Sequence, residues 1–417
     1  MKAVGIVAEY NPFHNGHQYH LRESLVRSGA EAAVAVMSGD FVQRGHPACA
    51  DKWRRAEMAV LGGVDLVVEL PFAYAVNSAD FFAKGAVRLL SGLGCIETLS
   101  FGSEEGELSR LEAAASLLVD ESASFQELLR SASGQGMSYP KARASALSSL
   151  LGEEEDFLKK PNNILAIEYL KQLKILDADI KPLTITRKEA GYHSSFPPLT
   201  EERGREGLFA SAKALREGME EKEPFDRLAS FVPQEVKGIL ENIYAGVQPK
   251  MNDYFMAIAT LLLRGDPAET AEIFAAREGI ENRLMAKIRV TETTEQLIDA
   301  LLSKRYTRTH ISRLLVQLLV GLRRSDFLKI DESRAMYAHV LAFSAKGAAL
   351  LREIKKKELA SIPVLDKLSG SGLCGQLPRE EERMLFSYDL RASDFFALAS
   401  GKRLYDASDF VKKPFLG

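Results

Sequence analysis

Residues 5–21 read GIVAEYNPFHNGHQYHL, and the fold turns on how this stretch is read. Its front half belongs to an apolar run of strand length, Ala3 to Ala8. A turn follows at Asn11–Gly16, then a helical stretch from Gln18 to Ser28. His14 and His17 frame HNGH in the turn between strand and helix. A helix N-terminus offers unpaired backbone N–H groups and the positive end of its dipole, so such a turn suits phosphate. Gly16 lets the backbone approach a ligand with no Cβ in the way. Imidazoles there donate hydrogen bonds to phosphate oxygens whose charge grows in a transition state. Two other readings stand beside this one. HxxHxxH is also metal-ligand spacing, with His17 and His20 on one helix face, but no carboxylate or cysteine joins the three. The other is a purely structural role.

Outward from the turn, strand and helix signals alternate. Ala32 to Met37 is a second apolar run, ended by Ser38-Gly39-Asp40. Trp53 to Leu61 reads as a helix, Asp65 to Leu70 as a third strand, Phe81 to Leu90 as a helix and Glu97 to Phe101 as a fourth strand. Strands that are apolar throughout and separated by helices predict βαβ units in a parallel sheet covered on both faces. Such sheets bind ligands at the carboxyl ends of their strands.

Glu104 to Ser149 is helical and partly acidic, and reads as an insertion over about 104–158. Asn163–Leu176 reads as a helix introduced by Lys160-Pro161-Asn162, and Lys181–Thr186 as a strand. The polar run Glu217–Pro224 marks a boundary. It divides the chain into 1–222, with the sheet, and a mainly helical 223–417. Within the second part, Val340–Phe343, Gly347–Lys357 and Pro363–Leu368 predict a small βαβ unit at about 338–370.

Length and charge set the bounds. At roughly 100–200 residues per domain, 417 residues predict two or three domains. The balance of 54 Lys+Arg against 57 Asp+Glu gives a net charge of −3, which does not by itself exclude a nucleic-acid partner, because attraction depends on local patches. Cys49, Cys95 and Cys374 are far apart, with no CxxC pair, so neither a disulfide framework nor a thiolate metal site is expected. No apolar run approaches the ~18 residues of a membrane helix, and the N-terminus lacks a signal-peptide cleavage pattern. The expected setting is the cytoplasm, with no membrane association.

The stretch 5–21 resembles the HxGH signature of the nucleotidyltransferase superfamily. Further segments resemble one family within it, the tRNA(Met) cytidine acetate ligases. They are MSGDFVQRGHPACADKW (37–53), VDLVVELPFAYAVNSADFFAKGAV (64–87), LSFGSE (99–104), KKPNNILAIEYLK (159–171), ITRKEAGYH (185–193) and KRYTRTHISRLL (304–315). They run along most of the chain in the family's order. The resemblance implies a Rossmann-like α/β nucleotidyltransferase domain, a mainly α-helical domain and a small C-terminal α/β unit. It implies a ligase that activates acetate with ATP as acetyl-adenylate, releasing pyrophosphate, and passes the acetyl group to the wobble cytidine of elongator tRNA(Met). The product is N(4)-acetylcytidine. Mg²⁺ is expected with ATP, held largely by phosphate oxygens and water, and no dedicated metal site is expected.

By the same resemblance, His14 and His17 are the catalytic pair. The ATP-binding set is Val7, Ala8, Glu9, Tyr10, Asn11, Pro12, Phe13, His14, Asn15, Gly16, His17, Gln18, Tyr19 and His20, with Gly102, Asn162 and Arg187. Asn162 also suits an N-cap for the helix that follows. Ser211 and Arg216 match a late phosphate-closing motif, although Lys213 stands where a small hydroxyl residue is usual. Asp40 and His46 depart likewise from an expected Asn and Glu. From Ser303 to Arg324 the chain carries cations and no Asp or Glu. Lys304, Arg305, Arg308 and Arg313 are the candidate tRNA-phosphate contacts, with Tyr306 offered to a base or sugar. Two alternatives are a small-molecule adenylyltransferase, which leaves the basic segment unexplained, and a non-catalytic tRNA-binding protein, which leaves the intact HNGH unexplained.

Overall fold

The computed structural model describes residues 1–104, 106–137, 139–186, 208–368, 370 and 372–417. Its centre is an eight-stranded sheet. Five strands come from the first half: β1 (Ala3–Ala8), β2 (Ala32–Ser38), β5 (Leu66–Leu70), β6 (Ile96–Ser103) and β7 (Lys181–Thr186). Between them β3 (Phe41–Val42) and β4 (His46–Pro47) form a separate antiparallel hairpin. Three strands come from the far end: β8 (Ala338–Phe343), β9 (Val364–Leu365) and β10 (Phe415–Leu416). The order is β10-β8-β5-β2-β1-β6-β7, with β9 also on β8.

The predicted strands of the first half are present and mutually parallel. The burial of β2 explains why it is apolar throughout. Ala32, Val34 and Val36 face one core and Ala33, Ala35 and Met37 the other. The first core is filled by the helix Ala79–Gly92 and the second by α1 (Asn15–Ser28) and α2 (Lys52–Leu61). The insertion forms helices Leu108–Asp120, Ala123–Gly134, Tyr139–Leu151 and Glu155–Lys159.

The C-terminal strands differ from expectation. The strand–helix–strand connection exists, with β8 and β9 parallel across the helix Ala345–Lys356, but it is not a unit with its own sheet. β8 lies antiparallel on β5 and widens the N-terminal sheet. The physical reason is that AHVLAF is apolar on both faces, and a two-residue β9 cannot bury it. The last segment adds β10 beside β8, and a 20-residue helix, Glu380–Ala399, packs nearby. Among the described residues, no helix is long and apolar enough to cross a membrane.

Candidate nucleotide site

Strand order reverses direction at β1, which has β2 on one side and β6 on the other. The crevice beyond the carboxyl ends of β1 and β6 is therefore the expected ligand position. The HNGH turn leaves β1 there. α1 starts at Asn15, three residues earlier than its sequence pattern suggests, because His14 serves as its N-cap. His14 Nδ1 accepts the Gly16 N–H at 3.0 Å, and the His14 N–H donates to His17 Nδ1 at 3.3 Å. Both Nδ1 atoms are thus acceptors, so each neutral ring carries its proton on Nε2. The rings stack at 3.7 Å with 29° between planes. The pair stands at a helix N-terminus, where backbone N–H groups and the helix dipole favour an anion.

Gly16 serves a local purpose. A Cβ there would sit 2.8 Å from His14 Cε1, so the glycine leaves room for the capping imidazole. The loop before the histidines is held from several sides. Arg55 Nη1 donates to Glu9 O at 2.6 Å, Arg216 Nη1 to Asn11 O at 2.6 Å, and the Cys49 N–H to Asn11 Oδ1 at 2.7 Å. Tyr10 and Phe13 are buried, and both rings pack against His17. Asn15 Nδ2 donates to Leu208 O and Ser230 O, and the Tyr19 ring meets Phe209 edge-on. These contacts bring the 208–231 region to the site. Val7 and Ala8 end β1 beside Val36 and Met37. His20 turns to β6, 3.3 Å from Ser100 Oγ.

Gly102 lies at the carboxyl end of β6, opposite Ile185. Asn162 is not the N-cap that its position suggested; it lies inside the helix Pro161–Ile175. The capping group is Glu104, which sequence reasoning missed. Its carboxylate accepts the N–H groups of Asn162 and Asn163 at 3.2 and 3.0 Å and the Asn162 side-chain amide at 2.8 Å. A charged cap supplied from a distant strand leaves no local pattern to find. Arg187 lies outside the described residues, directly after β7. Ser211 caps the helix Ala212–Glu220, and Lys213 pairs with Glu217 at 3.3 Å.

The hairpin β3–β4 joins this loop to the helical region. The Gln43 N–H donates to Glu9 Oε1 at 3.0 Å, while Gln43 O accepts from Arg313 Nε at 2.7 Å. Gly45 has φ 76°, and a Cβ on it would lie 2.4 Å from the backbone N of Arg313. Burial and the nearby Arg44 lower the Arg313 pKa to about 10. Burial also lowers His46, favouring its neutral form.

Behind the loop is a buried charge network. Lys52 Nζ contacts both Glu69 oxygens at 2.9 and 2.8 Å and Asp409 Oδ2 at 2.6 Å, and His339 Nδ1 lies 2.8 Å from Glu69 Oε2. Glu69, His339 and Asp409 converge as metal ligands would, but the Lys52 ammonium already supplies the cation. Asp40 accepts the Lys52 N–H at 2.7 Å and the Ser393 hydroxyl at 2.9 Å; burial pushes its pKa up to about 6, against the pull of Lys52.

The basic segment is more neutralised than its own sequence suggests. Arg305 pairs with Glu278 at 2.8 Å, and Arg308 bridges Glu295 and Asp299 at the start of the helix Arg308–Val320. Lys304 is exposed. Tyr306 is not available to RNA: it is buried, donates its hydroxyl to Arg277 O at 2.7 Å and stacks on His310.

A switch-point crevice with an HxGH cap defines a class, and comparison agrees. Residues 1–408 match the family described as HIGH Nucleotidyl Transferase, so the chain is one of these proteins. The tRNA(Met) cytidine acetate ligase of Caldanaerobacter subterraneus subsp. tengcongensis is 41% identical over 403 residues, 96% of each chain. That of a Thermoanaerobacter species is 38% identical over 414 residues, 99% of this chain and 98% of the relative. Thermotoga maritima TmcAL bound with alpha-thio ATP superposes with a TM-score of 0.88 at 29% identity, over 100% of this chain and 99% of its own. Within the HIGH nucleotidyl transferases, the chain belongs to the tRNA(Met) cytidine acetate ligase family.

Proposed function

We propose that this protein joins acetate to the wobble cytidine of elongator tRNA(Met) in two steps on one site. The observation that carries the reading is the stacked His14–His17 pair at the amino end of α1, beside the carboxyl ends of β1 and β6. In the first step an acetate oxygen attacks the α-phosphorus of ATP. The bond to the bridging oxygen breaks, pyrophosphate leaves with its electron pair, and acetyl-adenylate remains. His14 and His17 hold the α-phosphate oxygens as their charge rises. In the second step the cytidine amine attacks the acetyl carbon and gives up a proton, the acyl–oxygen bond breaks, and AMP departs with its electron pair, leaving N(4)-acetylcytidine. The anhydride is already activated, so the protein's task is to orient the amine.

Gly102, Asn162 and Arg187 complete the nucleotide contacts in this reading. Arg216, which already fastens the Asn11 carbonyl, and Ser211 border the phosphates. Mg²⁺ accompanying ATP would be held largely by phosphate oxygens and water. Residues 1–222 carry the chemistry and 223–417 most of the tRNA contacts. For Arg305 and Arg308 to take part, RNA phosphates must displace Glu278, Glu295 and Asp299. The proposed setting is the cytoplasm, where tRNA is modified.

The test is direct. Protein, ATP, labelled acetate and elongator tRNA(Met) should give acid-precipitable label, and His17→Ala should lower it by about a hundredfold or more. Adenylation of a small metabolite, with no label in tRNA, would favour a small-molecule adenylyltransferase.

A further inference from the structure

A cleft of about 510 Å³ opens between the first turns of α2 and the last segment of the chain, from Lys402 to Phe415. Trp53 lines it together with five cations and three carboxylates. Two of those carboxylates are committed: Asp51 pairs with Lys402 at 2.6 Å and Glu57 with Arg54 at 3.1 Å. Arg403, Lys412 and Lys413 remain, against Asp406 alone. All three are exposed, and none has a carboxylate partner among the described residues. This is the reverse of the 304–324 segment, where most of the arginines are already paired.

The cations do not sit on a loose tail. Asp409 is buried against Lys52, and β10 is hydrogen-bonded to β8, so the chain on both sides of Lys412 and Lys413 is fixed. The indole is also distinctive: Trp53 Nε1 is buried with no hydrogen-bond partner among the described residues. Finally, Trp53 and Arg54 stand between Lys52 and Arg55, and Arg55 holds the Glu9 carbonyl at the root of the histidine loop. One turn of helix therefore carries both a wall of the cleft and a support of the nucleotide site.

We propose that this cleft docks an RNA strand, with its phosphates on Arg403, Lys412 and Lys413 and a base against Trp53. Cations beside an aromatic side chain are the usual means of holding unpaired RNA. The proposal rests on the tRNA-acetylating reading above and adds the surface on which the tRNA lies.

Trp53 is the sole tryptophan, so its fluorescence reports on the cleft without labelling. Titration with elongator tRNA(Met) should change that emission saturably, whereas ATP alone should not. The triple variant Arg403→Glu, Lys412→Glu, Lys413→Glu should raise the Kd for tRNA roughly tenfold or more and lower the slope of log Kd against log salt by roughly 2. Its unfolding midpoint checks that it folds, and Lys355→Glu with Lys356→Glu, exposed at the end of the helix Ala345–Lys356 and outside the cleft, serves as the charge control. Wild-type protein that acetylates tRNA while Trp53 is silent and the triple variant binds normally would overturn the cleft and leave the function standing. An equal loss in the control pair, or the same emission change with ATP alone, would also overturn it. Wild-type protein that neither binds nor acetylates tRNA would overturn both.

Discussion

Asp40→Asn should make the protein more stable above pH 6, although it removes a buried charge from beside a lysine. Asp40 is 5% exposed, and its two oxygens accept the Lys52 N–H and the Ser393 hydroxyl. An asparagine can keep the first bond through its oxygen and turn its amide toward Ser393. The ammonium of Lys52 keeps Glu69 and Asp409. Burial raises the Asp40 pKa from 3.8 to about 6, so the folded protein holds this proton more tightly than the unfolded chain does. Stability from this group is therefore intact below pH 3.8, falls as pH rises to about 6, and is constant above. That difference corresponds to about 3 kcal/mol at neutral pH. For a chain of 417 residues it moves the midpoint by about 3 °C. Calorimetry of parent and variant from pH 4 to pH 8 checks it. The variant's advantage should be absent at pH 4, grow to pH 6 and then level off. A variant that is less stable at pH 8, or a gap that does not change with pH, would refute the reasoning.

Two further changes follow from packing and charge. Gly45→Ala should cost roughly 2–4 kcal/mol in urea unfolding, because φ is 76° and the new methyl meets the Arg313 backbone at 2.4 Å. Lys52→Met should cost about 3–5 kcal/mol at pH 7 by leaving Glu69 and Asp409 without their cation. Although burial opposes it, Lys52 and His339 hold Glu69 at about 2, so the deficit should shrink as pH falls below 4.5.

The first half of the sheet was legible because each strand is an apolar run closed by a turn residue, and burial on both faces demands such a run. The HNGH turn was legible because its chemistry and its place between strand and helix agree. Four things could not be read. The partner of β8 could not, since an apolar strand does not name the edge it joins. Glu104 as cap of the Pro161 helix could not, because the bond spans 58 residues. The ion pairs of Arg305 and Arg308 could not, because their carboxylates lie outside the cationic run, on neighbouring elements. Likewise, nothing in ADKW marks Lys52 as fully buried; Glu69 and Asp409 together make that tolerable.

That last pairing bears on how the protein is made. Lys52 and Asp409 are 357 residues apart, and β8 and β10 complete the sheet from the same distant end. Closing a loop of that length costs on the order of 5 kcal/mol, which the contacts must offset. During synthesis, the ribosome therefore releases a sheet with an uncovered β5 edge, on which Lys52 has Glu69 but not yet Asp409. The nucleotide site can reach its final rigidity only after nearly the whole chain has emerged, and C-terminal truncations short of Asp409 should damage the N-terminal site first.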